Sequence, residues 1–126
     1  MALAKAKEID AELVMATDPD ADRIGIAVKD LSNEWILLNG NQTAALIIHY
    51  MLTAWKNAGK LDGNQYIVKT VVTSYLLDKI ADSFDVECFN TLTGFKFIGE
   101  LMTQLEGKKK FIAGGEESYG YLIGEH

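Results

Sequence analysis

Residues 66–113 read YIVKTVVTSYLLDKIADSFDVECFNTLTGFKFIGELMTQLEGKKKFIA, and the pattern within this stretch decides the fold class. Three short apolar runs have the length and composition of β-strands, at 66–72, 86–90 and 111–113. Two segments with apolar residues at helical spacing separate them, 75–84 and 95–105. Because strands and helices alternate, we predict an α/β fold, a layered sheet of mixed strands flanked by helices.

The polar loops of this predicted sheet follow its strands. Gly, Ser and Thr residues gather in three segments, Thr73-Ser74, Thr93-Gly94 and 114–118. Ligands of such sheets bind beyond the carboxyl ends of the strands. We therefore expect these three loops to converge on one rim of the sheet.

The sequence before this stretch predicts further elements around the sheet. Residues 4–12 are rich in the helix formers Ala, Lys and Glu, and a short apolar run at 13–16 follows them. Apolar residues at 24–28 and 35–38 flank a polar turn, which predicts a β-hairpin. Residues 42–58 have the apolar spacing of an amphipathic helix of about four to five turns.

Composition and charge argue against several functional classes. The chain has 126 residues, a formal net charge of -6 and a pI near 4.8, so its averaged surface repels polyanions. We expect no nucleic-acid partner and no membrane partner, since no segment approaches the run of about 18 apolar residues that a span requires. Cys88 is the single cysteine, which excludes an intrachain disulfide and favours a cytoplasmic location.

An acidic loop, Asp18-Pro19-Asp20-Ala21-Asp22-Arg23, follows the first apolar run. Carboxylates at every second position of an extended loop can point toward one centre, where their like charges repel unless a cation joins them. Hard carboxylate oxygens select magnesium or calcium. The guanidinium of Arg23 beside such a site offers a planar fork for phosphate oxygens, which is an arrangement typical of phosphoryl transfer.

Two other acidic motifs compete for this loop. An EF-hand counted from Asp18 requires Gly at its sixth position and Glu at its twelfth, where this sequence has Arg23 and Lys29. That interpretation fails. A magnesium-dependent phosphatase of the haloacid-dehalogenase type also carries an Asp-x-Asp pair after an apolar strand, with Asp18 as nucleophile. That alternative stays open, as does a non-catalytic sugar-binding module.

A second loop, GGEESYG at 114–120, follows the last predicted strand. Glu116 and Ser118 are two positions apart, so both face the same side of an extended loop. A carboxylate beside a hydroxyl suits the recognition of a polyol, because together they accept and donate hydrogen bonds. Glu117 faces the other way, toward solvent or a structural contact.

Four segments together resemble the α-D-phosphohexomutase family, and its phosphoglucomutase-like branch in particular. They are ATDPDADRIGI at 16–26, LNGNQTAA at 38–45, LTGFKFIG at 92–99 and GGEESYGY at 114–121. The resemblance implies the roles of eight residues. Asp18, Asp20 and Asp22 would bind the catalytic Mg²⁺, Arg23 would lie against the active-site phosphate, and Thr93, Gly94, Glu116 and Ser118 would contact the hexose.

The resemblance also implies that the chain is part of a larger enzyme. Residues 4–30 would end the second domain of a phosphohexomutase, and 31–126 would be its third domain, truncated at the C-terminus. The activity implied is interconversion of hexose 1-phosphate and hexose 6-phosphate through a phosphoserine, with a hexose 1,6-bisphosphate intermediate. None of the serines here has the family's Ser-His neighbour, so we expect the fragment alone to be inactive. Its partners would be the hexose phosphate and the missing domains of its parent.

Overall fold

The structure is a computed structural model that describes residues 2–124. Four helices and seven strands are described. They are α1 (Ala2–Glu8), β1 (Leu13–Thr17), β2 (Ile24–Lys29), β3 (Trp35–Leu38), α2 (Gly40–Asn57), β4 (Gln65–Thr70), α3 (Leu76–Ser83), β5 (Glu87–Thr91), α4 (Phe95–Leu105), β6 (Lys110–Gly115) and β7 (Tyr121–Ile123). None of the helices described within 2–124 is long and apolar enough to cross a bilayer.

The larger sheet has four strands in the order β5-β4-β6-β7. β4 pairs in parallel with both β5 and β6, and β7 pairs with β6 in the antiparallel direction. All six residues of the central strand β4 are buried, as expected for a strand covered on both faces. The predicted α/β class and the predicted mixed sheet are confirmed.

Helices cover both faces of this sheet. Side chains alternate along β4, so Ile67 joins a cluster with Leu52 of α2 and Leu77 of α3, whereas Tyr66 joins Ile98 of α4 on the opposite face. Full burial of an aliphatic side chain such as Leu52 stabilises the fold by roughly 1.5–3 kcal/mol. The larger sheet therefore forms the middle of three layers, with α2 and α3 on one face and α4 on the other.

The connections of the sheet change direction at the boundary between β4 and β6. The chain leaves β4 through α3 to β5 on one side, and then returns through α4 on the other face to β6 on the opposite side of β4. The loops after β4 and β6 therefore start at adjacent strand ends. In open α/β sheets this topological switch point is where ligands bind.

A separate sheet of three antiparallel strands, β1-β2-β3, holds the N-terminal segment. Met15, Ile26 and Leu38 are cross-strand partners on one of its faces. Met15 remains 62% exposed, so this face is largely uncovered in the described residues. The predicted hairpin is present as β2 and β3. The predicted domain boundary at 30/31 lies in the turn of that hairpin, while the change from one sheet to the other lies between β3 and α2.

Local signals set the ends of α2. Asn39 caps it by accepting a hydrogen bond from the Gln42 amide at 2.9 Å, and the Gln42 side chain accepts one from the Asn39 amide at 2.9 Å. This reciprocal capping box satisfies two amides that the first turn leaves unpaired. Gly59 with φ of 65° follows the last turn, in the left-handed conformation common after helices.

Candidate functional site

The acidic loop joins β1 to β2 and brings its three aspartates together. One carboxylate oxygen each from Asp18, Asp20 and Asp22 lies within 4.8 Å of the other two. Asp18 is half-buried, and the other two are exposed. Ala21 has φ of 59°, and its amide donates to the Asp18 carbonyl at 3.0 Å, so the loop turns tightly at that point. The predicted convergence of the three carboxylates is present.

The carboxyl groups of this loop perturb one another. The pKa of Asp22 is raised, first by partial loss of hydration within the loop and then by the negative charges of Asp20 and Asp18. Burial also acts to raise the pKa of Asp18, but hydrogen bonds from the Arg23 amide and the neighbouring aspartates outweigh it and lower that pKa. Three hard oxygen donors under mutual repulsion fit a small divalent cation such as Mg²⁺.

Arg23 lies beside the aspartates with its guanidinium available. Its side chain is 59% exposed, and Nε lies 4.0 Å from Asp22 Oδ1, too far for a tight hydrogen-bonded pair. The residue lines a cavity of about 300 Å³ together with Asp18, Leu37 and Tyr119. A guanidinium with no shorter ion pair within residues 2–124, at the rim of a cavity beside carboxylates, can donate hydrogen bonds to a phosphate.

The loop after β6 is folded around a buried carboxylate. Glu116 is 6% exposed, and its Oε1 accepts a hydrogen bond from the Gly94 amide at 2.6 Å. Its Oε2 accepts one from the Ser118 hydroxyl at 3.1 Å. Gly94 has φ of 120°, a conformation that favours glycine, so its amide can point at the carboxylate. Glu116, Ser118 and Gly94 are therefore brought together, with the exposed Thr93 beside them.

The two loops touch each other. The Ile24 amide, at the start of β2, donates to the Tyr119 carbonyl at 3.0 Å. This bond ties the end of the acidic loop to the turn that contains Glu116 and Ser118. The two groups of predicted site residues consequently share one side of the molecule.

Sequence reasoning missed the polar groups beneath the second loop. Glu117 faces away from Ser118, and its Oε2 accepts hydrogen bonds from the hydroxyls of Thr70 and Thr73. The structural contact foreseen as one option for Glu117 is thus present, but its partners were not predicted. The only sequence signal was a pair of threonines three positions apart, at the end of an apolar strand.

Residues 39–126 match the family described as phosphoglucomutase/phosphomannomutase, alpha/beta/alpha domain III. The phosphoglucomutase of Staphylococcus saprophyticus is 39% identical over 119 residues, which are 93% of this chain and 21% of that protein. The phosphoglucomutase of Staphylococcus aureus strain USA300 is 38% identical over 117 residues, which are 93% of this chain and 20% of that protein. The chain therefore spans about a fifth of the length of these curated relatives.

Solved structures have the same fold. A phosphoglucomutase/phosphomannomutase family protein from Burkholderia thailandensis superposes with a TM-score of 0.70 at 22% identity, over 95% of this chain and 23% of that one. The phosphoglucomutase pp63/parafusin from Paramecium gives a TM-score of 0.67 at 28% identity, over 90% of this chain and 17% of that one. The family match covers more than half of the chain, so the predicted resemblance is confirmed: this chain belongs to the phosphoglucomutase/phosphomannomutase family, as a part that includes domain III.

Proposed function

We propose that this chain supplies two loops of a phosphohexomutase, which interconverts hexose 1-phosphate and hexose 6-phosphate. The acidic loop at 18–23 would bind the metal, and the loop at 114–120 would recognise the hexose. The observation that carries the proposal is the Ile24–Tyr119 hydrogen bond of 3.0 Å, which joins the three-aspartate loop to the turn of Glu116 and Ser118. A bound hexose phosphate would contact the metal-binding loop with its phosphate and Glu116 and Ser118 with its hydroxyls. The two loops must therefore lie within the length of one sugar phosphate. A surface acidic turn in a simple binding module would have no reason to adjoin a polyol site.

In this proposal Asp18, Asp20 and Asp22 hold Mg²⁺, and Arg23 orients the phosphoryl group. When bound, the ion supplies Lewis-acid stabilisation of the charge on that group. The donor set fits the ion, since all three side chains offer hard oxygens within 4.8 Å of one another. The guanidinium donates to phosphate oxygens from a fixed planar fork.

The hexose binds, in this proposal, at the loops after β5 and β6. An ionised carboxylate has about four acceptor positions, and the bonds from Gly94 and Ser118 to Glu116 use two of them. Glu116 therefore retains positions for sugar hydroxyls, and Ser118 retains its oxygen as an acceptor. Thr93 adds an exposed hydroxyl at the same edge.

Phosphoryl transfer also needs groups that we assign to other parts of the parent protein. A phosphoserine there would exchange its phosphoryl group with the hexose phosphate through a hexose 1,6-bisphosphate intermediate. The Glu-Glu-Ser form of the second loop favours a glucose-type substrate. We place the parent in the cytoplasm and expect the chain alone to have no mutase turnover.

A magnesium titration of the ¹⁵N-labelled chain, followed by NMR, tests the proposal. We expect Mg²⁺ to shift the amides of 18 and 20–23, and added glucose 1-phosphate to shift those of 93–94 and 116–118. Asp20→Asn should weaken the magnesium response, whereas Asp82→Asn, at an exposed position of α3, should leave it unchanged.

Three results would contradict the proposal. One is the absence of a magnesium response at 18–23, and another is an equal response in the Asp20→Asn variant. The third is hydrolysis of a generic phosphate ester such as p-nitrophenyl phosphate by the chain alone, which would favour the phosphatase alternative with Asp18 as nucleophile.

A further inference from the structure

A buried cluster of two hydroxyls and a carboxylate lies at the switch point of the larger sheet. The hydroxyls of Thr70 and Thr73 lie 2.7 Å apart, and Glu117 Oε2 is 3.2 Å and 3.0 Å from them. Thr70 is 0% exposed and Thr73 is 3% exposed. The Glu117 amide also donates to Thr73 Oγ1 at 3.2 Å. Glu117 is thus fastened to the loop after β4 through its side chain and its backbone.

The loop after β4 is itself fixed from within the sheet. Lys69 is 3% exposed, and its Nζ donates to the Thr73 carbonyl at 3.2 Å. The same Nζ lies 3.1 Å from Asp78 Oδ2 of α3. A buried lysine that is paired with a carboxylate and bonded to a carbonyl has little freedom. Breaking the ion pair leaves a buried charge without compensation, and breaking the carbonyl bond leaves buried polar groups unsatisfied. Thr73 is therefore a rigid attachment point.

Fastening Glu117 determines where its neighbours point. The Glu116 amide donates to the Gly120 carbonyl at 2.9 Å, so 116–120 form a tight turn. A Glu117 carboxylate held by Thr70 and Thr73 restrains the backbone of this turn, from which the Glu116 side chain reaches the Gly94 amide. The start of α2 adds a steric limit, since a Cβ on Gly40 would overlap the Glu117 carbonyl oxygen. The backbone at Glu117 consequently has contacts on two sides.

We propose that Thr70, Thr73 and Glu117 form a positioning cluster that fixes the orientation of Glu116 for hexose recognition. Glu117 acts through the loop and does not contact the sugar, because its carboxylate faces the two threonines. This inference rests on the proposed function for the role of Glu116 as a sugar ligand. The coupling between the cluster and the Glu116–Gly94 hydrogen bond is a property of the chain itself and is measured without any ligand.

Hydrogen exchange of the Gly94 amide, measured by NMR on the whole 126-residue chain, reports that coupling. Its rate is divided by that of the Ile67 amide in the centre of β4, whose exchange requires global unfolding, so a loss of global stability alone does not raise the ratio. Glu117→Gln removes the charge that strengthens both hydroxyl bonds, and we expect this ratio to rise about tenfold. Thr73→Val also removes the acceptor of the Glu117 amide and should raise the ratio further.

Two further variants serve as controls. Thr73→Ser keeps the hydroxyl and should restore a ratio close to that of the unchanged chain. Glu106→Gln alters an exposed glutamate after α4 and should leave the ratio unchanged. If Thr73→Val does not fold, the Glu117→Gln and Glu106→Gln pair still gives the result.

The inference is overturned if Glu117→Gln leaves the ratio unchanged, or if Glu106→Gln raises it equally. It is also overturned if the Gly94 and Ile67 rates rise together, because the cluster would then contribute only to global stability. A chain that binds neither Mg²⁺ nor glucose 1-phosphate would contradict the proposed function, while the exchange ratio would still decide on the positioning cluster. The two proposals therefore fail separately.

Discussion

The acidic loop and the loop at 114–120 lie in contact but are held in opposite ways. Glu116 is 6% exposed and is fastened to Gly94, and its neighbour Glu117 is fastened to buried threonines. Asp20 and Asp22 are exposed, and they sit at the end of a sheet whose outer face is largely uncovered in residues 2–124. The difference indicates that the loop at 114–120 is organised by the fold, whereas the acidic loop leaves Asp20 and Asp22 exposed beside one another.

The largest expected difference between the two regions is in hydrogen exchange of their strands. Amides of β4 should exchange roughly a thousandfold more slowly than those of β1, because β4 is buried in the centre of its sheet and β1 is an exposed edge strand. Hydrogen-exchange mass spectrometry of the unmodified chain measures this ratio. Equal protection of β1 and β4 would show that both sheets open as one cooperative unit, contrary to this expectation.

A pair of glycine substitutions compares crowded and open helix positions. Gly40→Ala should destabilise the chain by about 3 kcal/mol, because the new methyl group would overlap the Glu117 carbonyl and force the loop to move. Gly99→Ala, within α4 where a Cβ meets nothing within 4 Å, should instead stabilise by about 0.5–1 kcal/mol. Urea unfolding followed by circular dichroism measures both. A Gly40→Ala variant as stable as Gly99→Ala would mean that the loop at 114–120 is not in tight contact with α2.

The Glu116 carboxylate should contribute to stability without any ligand. Glu116→Gln weakens the charge-assisted bond from the Gly94 amide, and we expect a loss of about 1–2 kcal/mol in the free energy of unfolding. The exposed Glu106→Gln change should stay within about 0.5 kcal/mol of the original value. The same urea titration gives both values. Equal stability of the two variants would show that the Gly94–Glu116 hydrogen bond does not hold the loop at 114–120 in place.

The acidic loop should behave in the opposite sense. Without a divalent cation, Asp20→Asn should leave stability unchanged or raise it by about 0.5 kcal/mol, because one of three repelling charges is removed. Thermal unfolding in the presence of a chelator measures this effect. A clear loss of stability in that variant would show that the aspartates stabilise the fold by themselves, as Glu116 is expected to do.

The fold class and the two loops could be predicted because their signals are local. The apolar run of β4 and the helical spacing of α4 depend on the pleat and the helical turn, which involve only neighbouring residues. The spacing of Asp18, Asp20 and Asp22 likewise follows from the geometry of one short loop. Their roles as Mg²⁺ ligands, and that of Arg23 at the phosphate, remain predictions.

The pairing of the sheets could not be predicted in the same way. Alternation predicted the layered sheet of the segment from 66 onward, but it did not predict which strands pair, and β1, β2 and β3 form a sheet of their own. Which strands pair depends on how the apolar side chains of each strand are covered by helices and strands that lie far away in the sequence. A short stretch of sequence does not contain that information.

The amino-acid sequence alone determined which chemical groups this protein carries and which of them lie on loops, because periodicity and turn chemistry act over a few residues. Only the tertiary structure decided that Glu117 bonds to Thr70, 47 positions earlier, and that Glu116 receives the Gly94 amide, 22 positions earlier. The physical reason is that the strand order of the sheet sets these meetings. The loops after β4, β5 and β6 become neighbours only when the strands have paired.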